Sequence, residues 1–115
     1  MRKIILGLAA LLMGLSSSPA LAMDAFEEAR QSIVAGDLES ALLGITMGAF
    51  SVNMQDEDGL TLLHYAAQKG SLGAVQALLD RGADPAIRAK SGSTPADMTT
   101  VPEVRAVLSA AIAAQ

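Results

Sequence analysis

The chain has 115 residues, 12 acidic against 8 basic, a net charge of −4 and no cysteine. A chain of this length makes one small domain, and an acidic balance without a basic cluster does not suit nucleic acid or an anionic lipid surface. The missing cysteines exclude a disulfide framework, a thiolate nucleophile and a lipid-modified cysteine. Phe26, Phe50 and Tyr65 are the only aromatic residues, so the core must come from Leu, Ile, Val, Met and Ala. That composition suits helices packed closely on one another.

The N-terminus reads as a targeting signal. Arg2 and Lys3 precede the uncharged apolar run Ile4–Leu15, and Ser16-Ser17-Ser18-Pro19 interrupts it. Ala20-Leu21-Ala22 then offers small residues where a signal peptidase cleaves. The apolar run of 12 residues is short of the roughly 20 that span a bilayer. The expectation is a cleaved signal over residues 1–22 and a soluble domain over 23–115, bacterial and periplasmic, with secretion as the alternative.

From Asp24 onward the chain repeats. Asp24 with Glu27 three residues later forms a capping-box pattern, predicting a helix that buries Phe26, Ala29 and Ile33. The chain turns at Gly36-Asp37, and a second helix buries Leu38, Ala41, Leu42 and Ile45. Phe50–Gly59 is polar and turn-rich and should form a hairpin-like finger. Thr61 then caps a helix over Leu62–Gln68 that Gly70 closes in a left-handed conformation. Ser71 caps the next helix, where Leu72, Val75, Leu78 and Leu79 form one stripe. Asp84–Gly92 makes a second finger. Thr94 caps a last pair, with Pro95 at the first helical position, where its missing N–H costs nothing. After Pro102 the register is open between alternatives, and the favoured one buries Val104, Val107, Leu108 and Ala111.

The repeats superpose at fixed offsets. Gly36 and Gly70, and the pairs Gly48-Ala49 and Gly82-Ala83, lie 34 apart; Gly59 and Gly92, and Thr61 and Thr94, lie 33 apart. Periods in the low thirties with short helices belong to stacked helical repeats. Asp58-Gly59, Thr61, Leu63-His64, Ala66-Ala67, Gly70, Leu78-Leu79 and Gly82-Ala83-Asp84 resemble the ankyrin repeat family. The resemblance implies an all-α stack of three helix–turn–helix repeats with hairpin-like loops, at about residues 24–53, 56–88 and 89–115. Leu62 departs from the family's usual Pro, the first repeat lacks the Thr-Pro-Leu-His box, and Asp97 stands where that box has His. From Thr94 to Val104 the third repeat is about three residues short of the family spacing.

Several residues invite a catalytic or metal-binding reading that their surroundings do not support. His64, the only histidine, has no Ser, Cys or second base at a motif spacing; the resemblance instead implies hydrogen bonds to Thr61 and loop backbone. Asp56, Glu57 and Asp58 are consecutive, whereas a calcium loop alternates its ligands over about 12 residues, so a solvated finger tip is expected. One His without Cys cannot complete the usual zinc tetrahedron. The glycines are isolated helix terminators rather than a phosphate loop, and Met47, Met54 and Met98 are scattered gap-fillers.

The expectation is therefore a non-enzymatic protein that binds another protein, without catalytic residues, cofactor or metal, as a monomer without a stable membrane anchor. The resemblance implies binding on the finger tips and the exposed side of the first helices. That maps to Glu57, Asp58, Leu60, Tyr65, Gln68 and Lys69 in the second repeat and Arg88, Lys90, Ser91 and Ser93 in the third. Leu60 and Tyr65 are the expected anchors, because interface energy concentrates in apolar and aromatic groups. Two roles fit such a domain: support of a partner protein, or inhibition of an exported toxin or enzyme.

Overall fold

Stripes of apolar residues at three- and four-residue spacing, each bounded by a capping residue and a glycine, fold as three successive helix–turn–helix pairs. The computed structural model describes residues 19–115, with side chains from Met23 onward. The expected signal peptide, apart from the backbone of its last four residues, lies outside the described residues. The helices are α1 (Pro19–Ala35), α2 (Leu38–Thr46), α3 (Leu62–Lys69), α4 (Leu72–Asp80), α5 (Pro95–Met98) and α6 (Pro102–Ala113). No strand occurs among the described residues. Within pairs, α1 packs on α2, α3 on α4 and α5 on α6; between pairs, α1 packs on α3, α3 on α5 and α4 on α6. Each pair covers the apolar face that its neighbour could not bury alone. This is the all-α stack that the spacing predicts.

The core runs along the stack. Phe26, Ala29, Ile33 and Ala41 are buried in the first pair, Leu62, Leu63, Ala66, Ala67, Val75 and Leu78 in the second, and Val104 and Leu108 in the third. Phe26 meets Phe50 edge to face, with ring centroids 5.8 Å apart, a favoured aromatic geometry. Burying each large aliphatic side chain contributes about 1.5–3 kcal/mol. Leu38, Leu42, Ile45, Leu72, Leu79 and Val107 pack half-buried against this core. The favoured register after Pro102 is the observed one, with Val104 and Leu108 fully inside and Val107 and Ala111 at the margin.

Local chemistry sets the helix ends. Asp37 caps α2, accepting from the Ser40 N–H at 3.3 Å. Thr61 caps α3 and Ser71 caps α4. Gly70 ends α3 at φ +79°, where its N–H reaches the carbonyls of Ala66 and Ala67; a side chain there would be strained and would meet Val101.

Two expectations about helix extents change. The helix expected to start at Asp24 already includes Pro19, the first described residue. Ala20, Leu21 and Ala22 favour helix, so the helix is continuous through Asp24. Asp24, with helix on both sides, has no start to cap, and Glu27 pairs sideways with Arg30 instead. The residues missing from the third repeat come out of its first helix: α5 has 4 residues where α3 has 8. Thr99, buried between α5 and α6, closes the shortened connection; its Oγ1 accepts from the Val101 N–H at 3.1 Å and its carbonyl accepts from Arg105 at 2.8 Å.

Candidate protein interface

The two fingers are turns closed by backbone hydrogen bonds. In the first, the Asp56 N–H donates to the Leu60 carbonyl and the Gly59 N–H to the Asp56 carbonyl, both at 2.9 Å. In the second, the Ala89 N–H donates to the Ser93 carbonyl at 2.9 Å and the Gly92 N–H to the Ala89 carbonyl at 2.8 Å. The fingers also join each other. The Lys90 N–H donates to the Asp58 carbonyl at 2.9 Å, and the Gln55 amide reaches the Gly59 and Arg88 carbonyls at 2.8 and 3.2 Å. Lower down, the Asn53 side chain accepts from the Asp84 N–H at 2.7 Å. The hairpin-like fingers thus form one tied edge.

That edge depends on Gly59. Its φ is +78°, and a β-carbon there would stand 2.8 Å from the Lys90 nitrogen, which is backbone and cannot move aside. Gly59→Ala should cost about 1–3 kcal/mol in strain and separate the finger tips. Amide hydrogen exchange would report this as lost protection at Lys90; unchanged protection would contradict the pairing.

His64 stands beneath the fingers, fully buried. Its Nδ1 lies 3.1 Å from the Thr61 nitrogen and 2.9 Å from Thr61 Oγ1, and its Nε2 lies 3.0 Å from the Ser93 carbonyl. An amide N–H can only donate and a carbonyl can only accept, so Nδ1 is the acceptor and Nε2 carries the proton. Burial lowers the imidazole pKa below its usual 6.5, keeping the ring neutral. Both nitrogens are committed within the protein and out of reach of a substrate. In the third repeat Asp97 takes over the local half of this arrangement, its carboxylate accepting from the Thr94 N–H at 3.0 Å and hydroxyl at 3.1 Å. Those bonds hold its pKa below the usual carboxylate value.

The sequence-predicted interface residues fall into two groups. Glu57, Asp58, Gln68, Arg88, Lys90 and Ser91 are exposed, while Leu60, Tyr65 and Ser93 are half-buried. Lys69 is exposed but engaged: its ammonium donates to the Val34 carbonyl at 2.7 Å, holding the end of α1. Arg88 donates to the Gly92 carbonyl at 3.1 Å across its own turn. The Ser91 and Ser93 hydroxyls bond each other at 3.2 Å, and the Ser93 carbonyl receives His64. These residues stabilise the fingers as well as lining them.

Glu57, Asp58 and Tyr65 come together in a groove of ≈ 320 Å³, which Met23, Glu27, Arg30 and Asp56 complete. Asp56 does not fit the expected solvated tip. It is half-buried; one carboxylate oxygen accepts from the Asp58 and Leu60 N–H groups at 2.9 Å, and the other from the Tyr65 hydroxyl. Burial and this bond raise the Tyr65 pKa. The Arg30 guanidinium lies 5.4 Å from the centre of the Tyr65 ring, a cation–π distance. It also pairs with Glu27, whose pKa that hydrogen bond lowers. Glu27, Arg30 and Met23 were not among the sequence-predicted residues. Translating the predicted interface residue Glu57 back by the 34-residue period lands on Met23, a signal that would have found it, whereas Glu27 and Arg30 fall on the counterparts of the structural residues Thr61 and His64.

Among the described residues no cluster of three or more His, Asp or Glu could hold a metal ion. Every buried side-chain nitrogen and oxygen among them has a hydrogen-bond partner. No helix of the described residues is long and apolar enough to cross a membrane.

Residues 48–98 match the family described as "Ankyrin repeats (many copies)", covering the second repeat, both fingers and α5. An ankyrin repeat protein of fowlpox virus is 49% identical over 57 residues, which are 50% of this chain and 13% of that protein. The regulatory protein SWI6 of Saccharomyces cerevisiae is 52% identical over 46 residues, 40% of this chain and 6% of that protein. The ARF GTPase-activating protein GIT2 of Mus musculus is 34% identical over 76 residues, 66% of this chain and 11% of that protein. The chain thus spans a small part of each of these relatives. With its helix pairs, paired fingers and Thr61–His64 box, the chain is an ankyrin repeat protein.

Proposed function

We propose that this chain is a non-enzymatic module that binds another protein through its fingers and the adjoining exposed side of α1 and α3. The observation that carries the reading is the tied finger edge above the Tyr65 groove: a preorganised surface loses little conformational entropy on binding. The sole histidine is consumed in holding that edge. The finer reading is a bacterial domain exported to the periplasm after cleavage at Ala22, which works as a monomer to support a partner protein. Cleavage there would take four residues from α1 and leave Phe26, its first buried side chain. Exposed charges on the fingers, acidic at Glu57 and Asp58 and basic at Arg88 and Lys90, orient the partner more than they strengthen the complex.

A photo-crosslinking residue placed at Gln68 or Ser91 tests the face directly. Both positions should join to the same protein in cells, whereas Gly73 and Glu103, exposed and outside the fingers and the groove, should not. Equal crosslinking from all four positions would overturn the assignment. Charge reversal at Lys90, whose side chain is exposed, should slow association and leave melting unchanged.

A further inference from the structure

We infer that the groove between α1 and the first finger receives a basic segment of the partner, with an arginine or lysine side chain laid against Tyr65 beside Glu57 and Asp58. The inference rests on the reading that this face binds protein, and it adds the chemistry of what is bound. The groove already holds one cation of this kind. Arg30 lies over the Tyr65 ring at 5.4 Å and pairs with Glu27, so the chain itself supplies a guanidinium of the kind expected from a partner.

The remaining charges settle the sign of the occupant. Four carboxylates, those of Glu27, Asp56, Glu57 and Asp58, face one guanidinium in the lining; cleavage at Ala22 would add one α-ammonium at Met23, and the lining would still carry a net negative charge. Glu27 is satisfied by Arg30, and Asp56 by the Tyr65 hydroxyl and two backbone amides. Glu57 and Asp58 are exposed and form no ion pair among the described residues. On the neighbouring finger the Arg88 guanidinium turns to the Gly92 carbonyl, and Lys90, whose backbone N–H meets the Asp58 carbonyl, forms no ion pair with either carboxylate among the described residues. An acidic segment would be repelled here. A basic one gains two carboxylates and an aromatic face whose hydroxyl is already fixed by Asp56.

Fluorescence anisotropy with a labelled hexa-arginine peptide, using the protein as it exists, tests this. Saturable binding is expected, and the Glu57→Gln/Asp58→Asn protein should bind about fivefold or more weakly. The Glu39→Gln/Glu103→Gln protein loses the same charge outside the groove and should stay within about twofold of the original. Arg30→Met, which frees the ring and removes a competing cation, should tighten binding. The inference is overturned if the peptide does not saturate, if both double variants weaken it equally, or if Arg30→Met weakens it. A partner that crosslinks from Gln68 and Ser91 while the peptide fails would leave the binding face standing and remove only its basic ligand.

Discussion

Leu78→Ala is expected to destabilise the domain by about 2–5 kcal/mol. Leu78 is fully buried on α4, in the core cluster with Val75 and Leu108. Its loss removes transfer free energy and leaves a cavity between helices that cannot collapse without moving their neighbours. A domain of ordinary stability has only about 5–15 kcal/mol to lose, and a stack of three repeats has few neighbour interfaces over which to share the damage. In urea unfolding followed by helical circular dichroism, the midpoint should fall sharply or the folded baseline disappear. Leu43→Ala is the control: that side chain is 56% exposed on α2 and should shift stability by no more than about 0.5 kcal/mol. An unchanged midpoint for Leu78→Ala would contradict the buried stripe.

The second large effect is at His64. His64→Ala removes the acceptor for the Thr61 N–H and the donor to the Ser93 carbonyl in a fully buried place. Leaving buried polar groups unpaired costs about 1–3 kcal/mol each. The start of α3 and its tie to the second finger should loosen together. The same geometry gives a pH dependence. With a folded-state pKa below the ordinary 6.5, the unfolded chain binds a proton that the native ring does not. Stability is therefore undiminished above about pH 6.5 and declines as pH falls below it. Glu27, Asp37, Asp84 and Asp97, whose pKa values are also lowered, from 4.5 for Glu27 and 3.8 for the aspartates, add their losses only in more acid solution. His64→Gln should remove the first decline and keep the second; two identical pH profiles would contradict this account of the ring.

The second repeat was legible because its local signals are redundant. Thr61, Gly70, Ser71 and the Leu72–Val75–Leu78 spacing each specify a helix end or face, and they agree. Where signals were fewer, tertiary context decided. At Asp24 a capping pattern competed with three good helix formers just upstream, and the longer helix formed. In the third repeat the sequence showed that residues were missing, but only packing against α3 and α6 determined that α5 would be the shortened element.

The interface was legible in position more than in bonding. Sequence placed Glu57, Asp58 and Tyr65 on one face, and the fold brings them into one groove. It could not show that Asp56 turns inward to Tyr65, because three consecutive acids look alike until the turn fixes which carboxylate faces the chain. Lys69 was equally hidden, since its partner is a carbonyl 35 residues away. Arg30 and Glu27 were missed because the first repeat lacks the box that set the register elsewhere.

The central claim is that the sole histidine binds the repeats together beneath a recognition surface and does no chemistry. Nitrogen-15 NMR of the His64 ring tests it most directly. The account predicts a single neutral tautomer with the proton on Nε2, coupled through its hydrogen bond to the Ser93 carbonyl, and a titration displaced below that of a free imidazole. A ring that titrates as a free imidazole does, or that carries its proton on Nδ1, would contradict it.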